Sequence, residues 1–344
     1  MSARCLVVPA VVVAALTVSV ASMAQAETAA ERCNRLAAHP ADPERPATVE
    51  GVATGTIETD AAIGACSAAL KTDPDNARLH YHLGRAYFDR EDYDTAFREF
   101  SFASGKGLAI AKGALGYLYE EGLGTAQDTA KGLALTHEAA DAGVGFAAHN
   151  LGVNYREGLG VEKDYDKSLA YFRKAVESGY RLSLPDIGYA YDNGWGVTQD
   201  YAEAMRWYLQ AAEDDNPVAL NNIGNLYENG NGVPEDPAAG LEWYRRAQNL
   251  DYPPAYLNVA ALTDSGTGTP ADPVKAATLV LKAFDLGDAR FDAMNSGYLH
   301  EVQWSREFWA EMQRQLAKRG KYSGAITGEA DAATKAAVDS LLDR

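Results

Sequence analysis

Residues Ala147–Gly179 read AAHNLGVNYREGLGVEKDYDKSLAYFRKAVESG, and this stretch decides the fold. Ala147, Leu151, Gly152 and Tyr155 stand at i, i+4, i+5 and i+8, which is one face of a helix. Gly158-Leu159-Gly160 then ends that helix with residues free to take positive φ. Asp164 follows, placed to cap the free amides and meet the positive end of a second helix. One hairpin of this kind leaves an apolar face uncovered, so it has to stack on others.

Outward from this stretch the pattern recurs every 36 residues, without insertion, from Leu108 to Gly287. One column reads Leu115, Leu151, Ile187, Ile223, Val259, and the next Gly116, Gly152, Gly188, Gly224, Ala260. Tyr119, Tyr155, Tyr191 and Tyr227 form a third, closed by Thr263. Paired glycines, an aspartate column (Asp128, Asp164, Asp200, Asp236, Asp272) and an alanine column (Ala139 to Ala283) complete the row. Five such rows make a repeat protein. The glycine beside Ile223 lets a neighbouring helix approach closely, and Tyr227 is expected to fill the space beside it. The second helix buries Trp243, Tyr244 and Ala247, as Trp207, Tyr208 and Ala211 do one row earlier.

These residues resemble the Sel-one-like repeat (SLR), a relative of the tetratricopeptide repeat (TPR), and the resemblance covers about 180 residues. It implies an all-α, right-handed superhelical solenoid of TPR-like and Sel-one-like helical hairpins, here with a small helical C-terminal module. Residues 75–107 look like one TPR-like unit, with Leu83-Gly84, Tyr87 and Ala96 in place and a shorter turn at Asp89-Arg90-Glu91-Asp92. Residues 108–287 are the five Sel-one-like repeats; in the fifth, Ala260 and Thr263 suit a terminal row facing a different neighbour.

The ends differ. Arg4, the apolar run Leu6–Val20 and Ala24-Gln25-Ala26 read as a signal peptide over 1–26, with the mature chain starting at Glu27 and a periplasmic or secreted location. The alternative is an uncleaved anchor. Its apolar run is shorter than the ~20 residues a span needs. Residues 27–74 form a cysteine-containing N-terminal cap, with a helix expected over 61–70. An even pair of cysteines in an exported chain, Cys33 and Cys66, points to a disulfide tying this leader to the first repeat. Two buried thiols and a two-cysteine metal site are the alternatives. Over 288–344 the period is lost, and residues 308–342 resemble a small peptidoglycan-binding module. Leu316, Gly320, Tyr322, Gly324, Ile326, Gly328, Thr334, Ala337 and Val338 carry that resemblance. Thr327 stands where the module has aspartate, and a helical cap over the last repeat is the other reading.

The net charge of −17 repels nucleic acid and anionic membrane surfaces and favours a basic partner. Six histidines show neither metal nor triad spacing; His80-Tyr81-His82 lacks the Asp-His that a metal hydrolase would carry next, and reads as surface or groove histidines. No nucleophile elbow and no phosphate loop is present. No enzyme activity, cofactor or metal is expected. The resemblance to tetratricopeptide domains implies an inner groove lined by positions three before, one after and four after each glycine. Those are Tyr81, Arg85 and Phe88; Tyr117 and Glu120; His149 and Arg156; Tyr189 and Asp192; Asn221, Asn225 and Glu228. Tyr117 and Tyr189, with Val153 between, would form an apolar stripe, while Arg85 and Arg156 would attract a carboxylate. The function this implies is a non-catalytic adaptor of the cell envelope holding a protein or peptide partner, with peptidoglycan as a second partner of the C-terminal module. No nucleic acid and, after signal cleavage, no membrane is expected as a partner. The alternative is an envelope hydrolase of penicillin-binding or β-lactamase type; relatives so described carry a cysteine pair in each repeat, and these five rows carry none.

Overall fold

The computed structural model describes residues 27–40, 42, 45, 47–287 and 303–341; the expected signal peptide lies outside them, as does the start of the C-terminal segment. All regular elements among the described residues are helical. Two leading helices, α1 (Ala29–Ala37) and α2 (Thr59–Leu70), precede six stacked hairpins. The hairpins pair α3 (Ala77–Asp89) with α4 (Tyr93–Gly105), α5 (Ala109–Glu121) with α6 (Thr129–Asp141), and α7 (Gly145–Glu157) with α8 (Tyr165–Glu177). Then come α9 (Leu184–Asn193) with α10 (Tyr201–Ala212), α11 (Pro217–Asn229) with α12 (Pro237–Gln248), and α13 (Pro253–Ser265) with α14 (Pro273–Leu286). The C-terminal segment adds α15 (Arg306–Lys318) and α16 (Ala332–Asp339). The architecture is the all-α solenoid expected.

Each row folds for the reasons its residues suggest. Gly230 ends α11 at φ 67° and donates its N–H to the Leu226 carbonyl, leaving the helix in a conformation that side chains resist. Asp236 then accepts from the Ala239 N–H at 3.0 Å and starts α12; Asp128, Asp164, Asp200 and Asp272 do the same in their rows. The alanine column, from Ala139 to Ala283, is fully buried between hairpins.

The ring beside the glycine column comes from a different place than expected. A Cβ on Gly188 would stand 2.6 Å from the Tyr208 ring, on Gly224 2.6 Å from Tyr244, and on Gly152 2.6 Å from Phe172. The space is therefore filled by the second helix of the same hairpin. The Tyr155 column lies further out, where Tyr155 stacks on Tyr171 with ring centroids 5.6 Å apart.

At the N-terminal end, Cys33 on α1 and Cys66 on α2 form a disulfide, with S–S 2.02 Å. The expected helix over 61–70 is α2, and α1, which was not expected, packs on both α2 and α3. At the C-terminal end Phe308, Met312 and Leu316 of α15 share one core with Val280 and Phe284 of α14. Asp264 reaches past the buried Thr263 to accept from the Ser305 N–H (2.7 Å) and Oγ–H (2.6 Å). Ser305 in turn caps α15, so the atypical fifth row is the docking surface of this segment.

Candidate functional site

The first helices of successive repeats place their three candidate columns in three different environments. In the column three before the glycine, His149 and Asn221 each staple their helix to the next row. His149 hydrogen-bonds Ser183 Oγ through Nδ1 at 2.8 Å, and Asn221 Oδ1 accepts from Asn258 at 2.9 Å. Burial holds His149 below its ordinary pKa, against the pull of the Asp186 carboxylate. Tyr81, at the head of this column, is 2% exposed and packs on Phe100.

The column four after the glycine reaches across to the second helix of its own hairpin. Asp192 accepts from the Tyr208 hydroxyl at 3.2 Å, and Glu228 from the Tyr244 hydroxyl at 2.6 Å. Glu120 is held at both oxygens, by Thr136 and by Asn154, each at 2.7 Å. Burial raises Asp192 above the usual carboxylate range, against the hydrogen bond from Tyr208. Arg156 does not stand ready for a ligand carboxylate: it donates to Asp186 at 2.6 Å and to Glu157 at 2.8 Å, and its guanidinium lies 5.6 Å from the Phe172 ring centroid. Phe88 meets Tyr93 and Tyr117 edge-on, with centroids 5.5 and 6.1 Å away.

The column one after the glycine is the one that faces outward. Tyr117 and Tyr189 are each 39% exposed, Val153 between them is half-buried, and Asn225 is exposed. Tyr189 also leans edge-on against Trp195, which stacks on Tyr165 at 4.7 Å. Trp195 sits inside the glycine turn of its row, and the column logic, which looked only at the helices, missed it.

Arg85 heads this outward column and corrects the expectation of an open cation. It is 4% exposed, because the leader lies over it. Its guanidinium donates to the carbonyls of Ala37 (2.7 Å) and Val52 (2.8 Å) and to Thr54 Oγ at 3.3 Å. Asp89 completes the grip, its Oδ2 accepting from the Gly55 and Ile57 amides at 2.7 and 3.2 Å. The leader thus occupies the first position of the column that Tyr117 and Tyr189 continue. His80 and His82 part company at the same place. His80 bonds Glu99 at 2.5 Å and the Pro74 carbonyl at 2.9 Å. His82 is fully buried against the Ala37 carbonyl, not on the surface or in a groove. Nothing brings the two rings to one metal. Among the described residues no group of three or more His, Cys, Asp or Glu side chains is placed to hold a metal ion.

Beside His39 and Thr54 of the leader, a cavity of about 270 Å³ opens between α3, α5 and α7. His39 of the leader reaches it and lies 5.4 Å from the Phe146 ring. His39, Phe146, Asn150 and Tyr180 were not singled out by sequence, because none of them falls in the glycine-relative columns.

The comparisons with known proteins identify the repeat and the fold. The Sel1 repeat signature matches 109–144, 145–180, 180–216, 217–252 and 253–288, which together exceed half of the chain. No curated protein matches the sequence. A Sel1 repeat protein from Oxalobacter formigenes superposes with a TM-score of 0.60 at 24% identity, over 66% of this chain and 92% of that one. A protective antigen of uropathogenic Escherichia coli, described as displaying an SLR fold, superposes with a TM-score of 0.58 at 26% identity. That match covers 82% of this chain and 64% of the antigen, so this chain spans under two thirds of its length. The superpositions show the fold.

Proposed function

Starting from the fact that this chain belongs to the Sel1 repeat family, whose members generally bind protein partners, we propose that it is a non-catalytic exported adaptor. The partner is a protein that lays an extended segment along the outward column of the first helices. One observation carries this reading. The leader already lies on that column at Arg85, held through its backbone carbonyls, while the next positions at Tyr117 and Tyr189 stand exposed and aromatic. Backbone capture beside exposed aromatic side chains is what recognition of an extended peptide requires, and interface energy concentrates in such rings. The location rests on the signal-like first 26 residues, and an envelope role on that location. Peptidoglycan as a second partner rests only on the resemblance of the C-terminal segment, whose signature residues Leu316, Tyr322, Ala337 and Val338 are buried in the core shared with α14. No observation favours the hydrolase alternative.

A photo-crosslinking residue at Tyr189 should capture a partner in cells, and Tyr117→Ala on the same chain should reduce that capture while helical circular dichroism stays intact. The same probe at Glu242, exposed on α12, should capture nothing in common. Equal capture of the same protein from both positions would remove the column from the interface.

A further inference from the structure

The structure assigns a modification site to Asn231, in the glycine turn of the fourth Sel1 repeat, where the asparagine converts to aspartate or isoaspartate without an enzyme. Asn-Gly occurs three times in the chain, at Asn193-Gly194, Asn229-Gly230 and Asn231-Gly232. A glycine after asparagine leaves the attacking amide nitrogen unhindered, since it carries no side chain. In the reaction the Gly232 nitrogen attacks Cγ of Asn231. The N–Cγ bond forms, the Cγ–Nδ2 bond breaks, and ammonia leaves with the proton of the Gly232 amide. Water then opens the succinimide ring at one of its two carbonyls. Opening between the nitrogen and Cγ gives aspartate in an ordinary backbone. Opening at the main-chain carbonyl gives isoaspartate, with the chain routed through the side chain. Water is the only co-reactant.

Hydrogen bonding separates the three sites. Asn193 and Asn229 are the last residues of α9 and α11, and their side-chain amides donate to the carbonyls of Tyr189 and Asn225, each at 2.9 Å. The attacking nitrogens there are tied as well, because Gly194 N–H donates to the Ala190 carbonyl and Gly230 N–H to that of Leu226. Cyclisation at either site would break these bonds and unwind a helix end. At Asn231 the backbone N–H is engaged, with the Leu226 carbonyl at 2.9 Å. Its side chain and the Gly232 N–H hydrogen-bond no described residue, and Gly232 is exposed. The position is peculiar to this row, since the other four hold Leu123, Leu159, Trp195 and Thr267, none of which can cyclise. Trp195, at the same place one row earlier, leans on Tyr189 of the outward column, so the carboxylate formed at Asn231 adds negative charge at the edge of that face. Isoaspartate also adds an atom to the backbone beside Gly232, which has no slack to absorb it: a Cβ there would stand 2.7 Å from Tyr201 Cβ.

The test is peptide mapping by mass spectrometry of the disulfide-bonded mature chain aged in mildly alkaline buffer, folded and in urea, with fragmentation to separate Asn229 from Asn231. In the folded chain the amide-to-acid mass gain should appear at Asn231 at least about tenfold faster than at Asn193 or Asn229, whose reaction waits on local opening. In urea, where the helix-end hydrogen bonds are gone, the three rates should converge. Asn231→Gln, which would have to close a larger ring, should abolish the conversion at this turn. Equal rates at the three sites of the folded chain, a faster Asn193 or Asn229, or an Asn231 that stays intact while the unfolded chain converts would each overturn the assignment. An order that persists unchanged in urea would overturn it too, because sequence and not the fold would then set the rates. The assignment stands or falls apart from the groove reading, which the Tyr189 crosslinks test.

Discussion

His82 shows how one residue ties the leader to the array and makes the tie sensitive to acid. Its Nδ1 pairs with the Ala37 carbonyl at 3.2 Å, and its Nε2 is buried with no partner. Burial, with Arg85 close by, pushes its pKa down from 6.5 to about 3. A protonated ring would bury both a charge and an unpaired N–H. The unfolded chain takes the proton near pH 6.5 and the folded chain resists it, so stability is complete above that pH and falls as the pH drops towards 3. Over the window from pH 6.5 to 5 the loss should be about 2 kcal/mol. Urea midpoints of the wild type and His82→Gln at pH 7 and pH 5 check this. The amide variant should lose clearly less, and parallel losses would place the acid sensitivity elsewhere. His39, also pushed down to about 3 by burial, adds to the same slope in both proteins.

At the scale of elements, the hairpin is built on the contact between a glycine and a ring. Gly188 leaves no room for even a methyl group, since its Cβ would press on Tyr208 Cδ1 and Cε1 at 2.6 Å. Tyr208 is fully buried and fixed by its hydrogen bond to Asp192, so the ring cannot swing away. Gly188→Ala should therefore cost about 1–3 kcal/mol by overpacking. Tyr208→Leu in the same chain should make the added methyl group less costly, and thermal melts of the two single variants and the double variant measure the coupling. Additive losses would mean that α9 and α10 are not held apart by this contact. The sequence marked the glycine column as the site of close approach and put the wrong aromatic column beside it. Spacing along the chain shows which residues share a helical face, and the crossing of the two helices decides which ring meets that face.

For the whole molecule, the order of hairpins makes stability local. Each hairpin packs on its neighbours along the stack, as expected of a nearest-neighbour array. The C-terminal segment covers the last pair, where Phe308 is fully buried among residues of α14 and α15. Phe308→Ala should cost about 3–5 kcal/mol of local stability. Hydrogen exchange should then quicken in α13 and α14 while α3 to α7 keep their protection. Uniform loss of protection along the chain would show a single cooperative unit in place of an array.

The sequence by itself determined the hairpin, its period, its caps and the glycine column at which helices approach, because these depend on residues within one 36-residue row and recur in five. It also named Cys33 and Cys66 as partners, since no other cysteine follows the signal-like leader. What the groove offers was decided only by tertiary structure. Tyr117 and Arg85 hold the same place in their rows, yet one is exposed and the other lies beneath the leader. Arg156 reads as a cation and is neutralised by Asp186, a residue of the next row. Local spacing fixes which way a side chain leaves its helix. Whether a distant segment then covers it depends on where the chain returns, and the disulfide and the carbonyls of Ala37 and Val52 bring the leader back over α3.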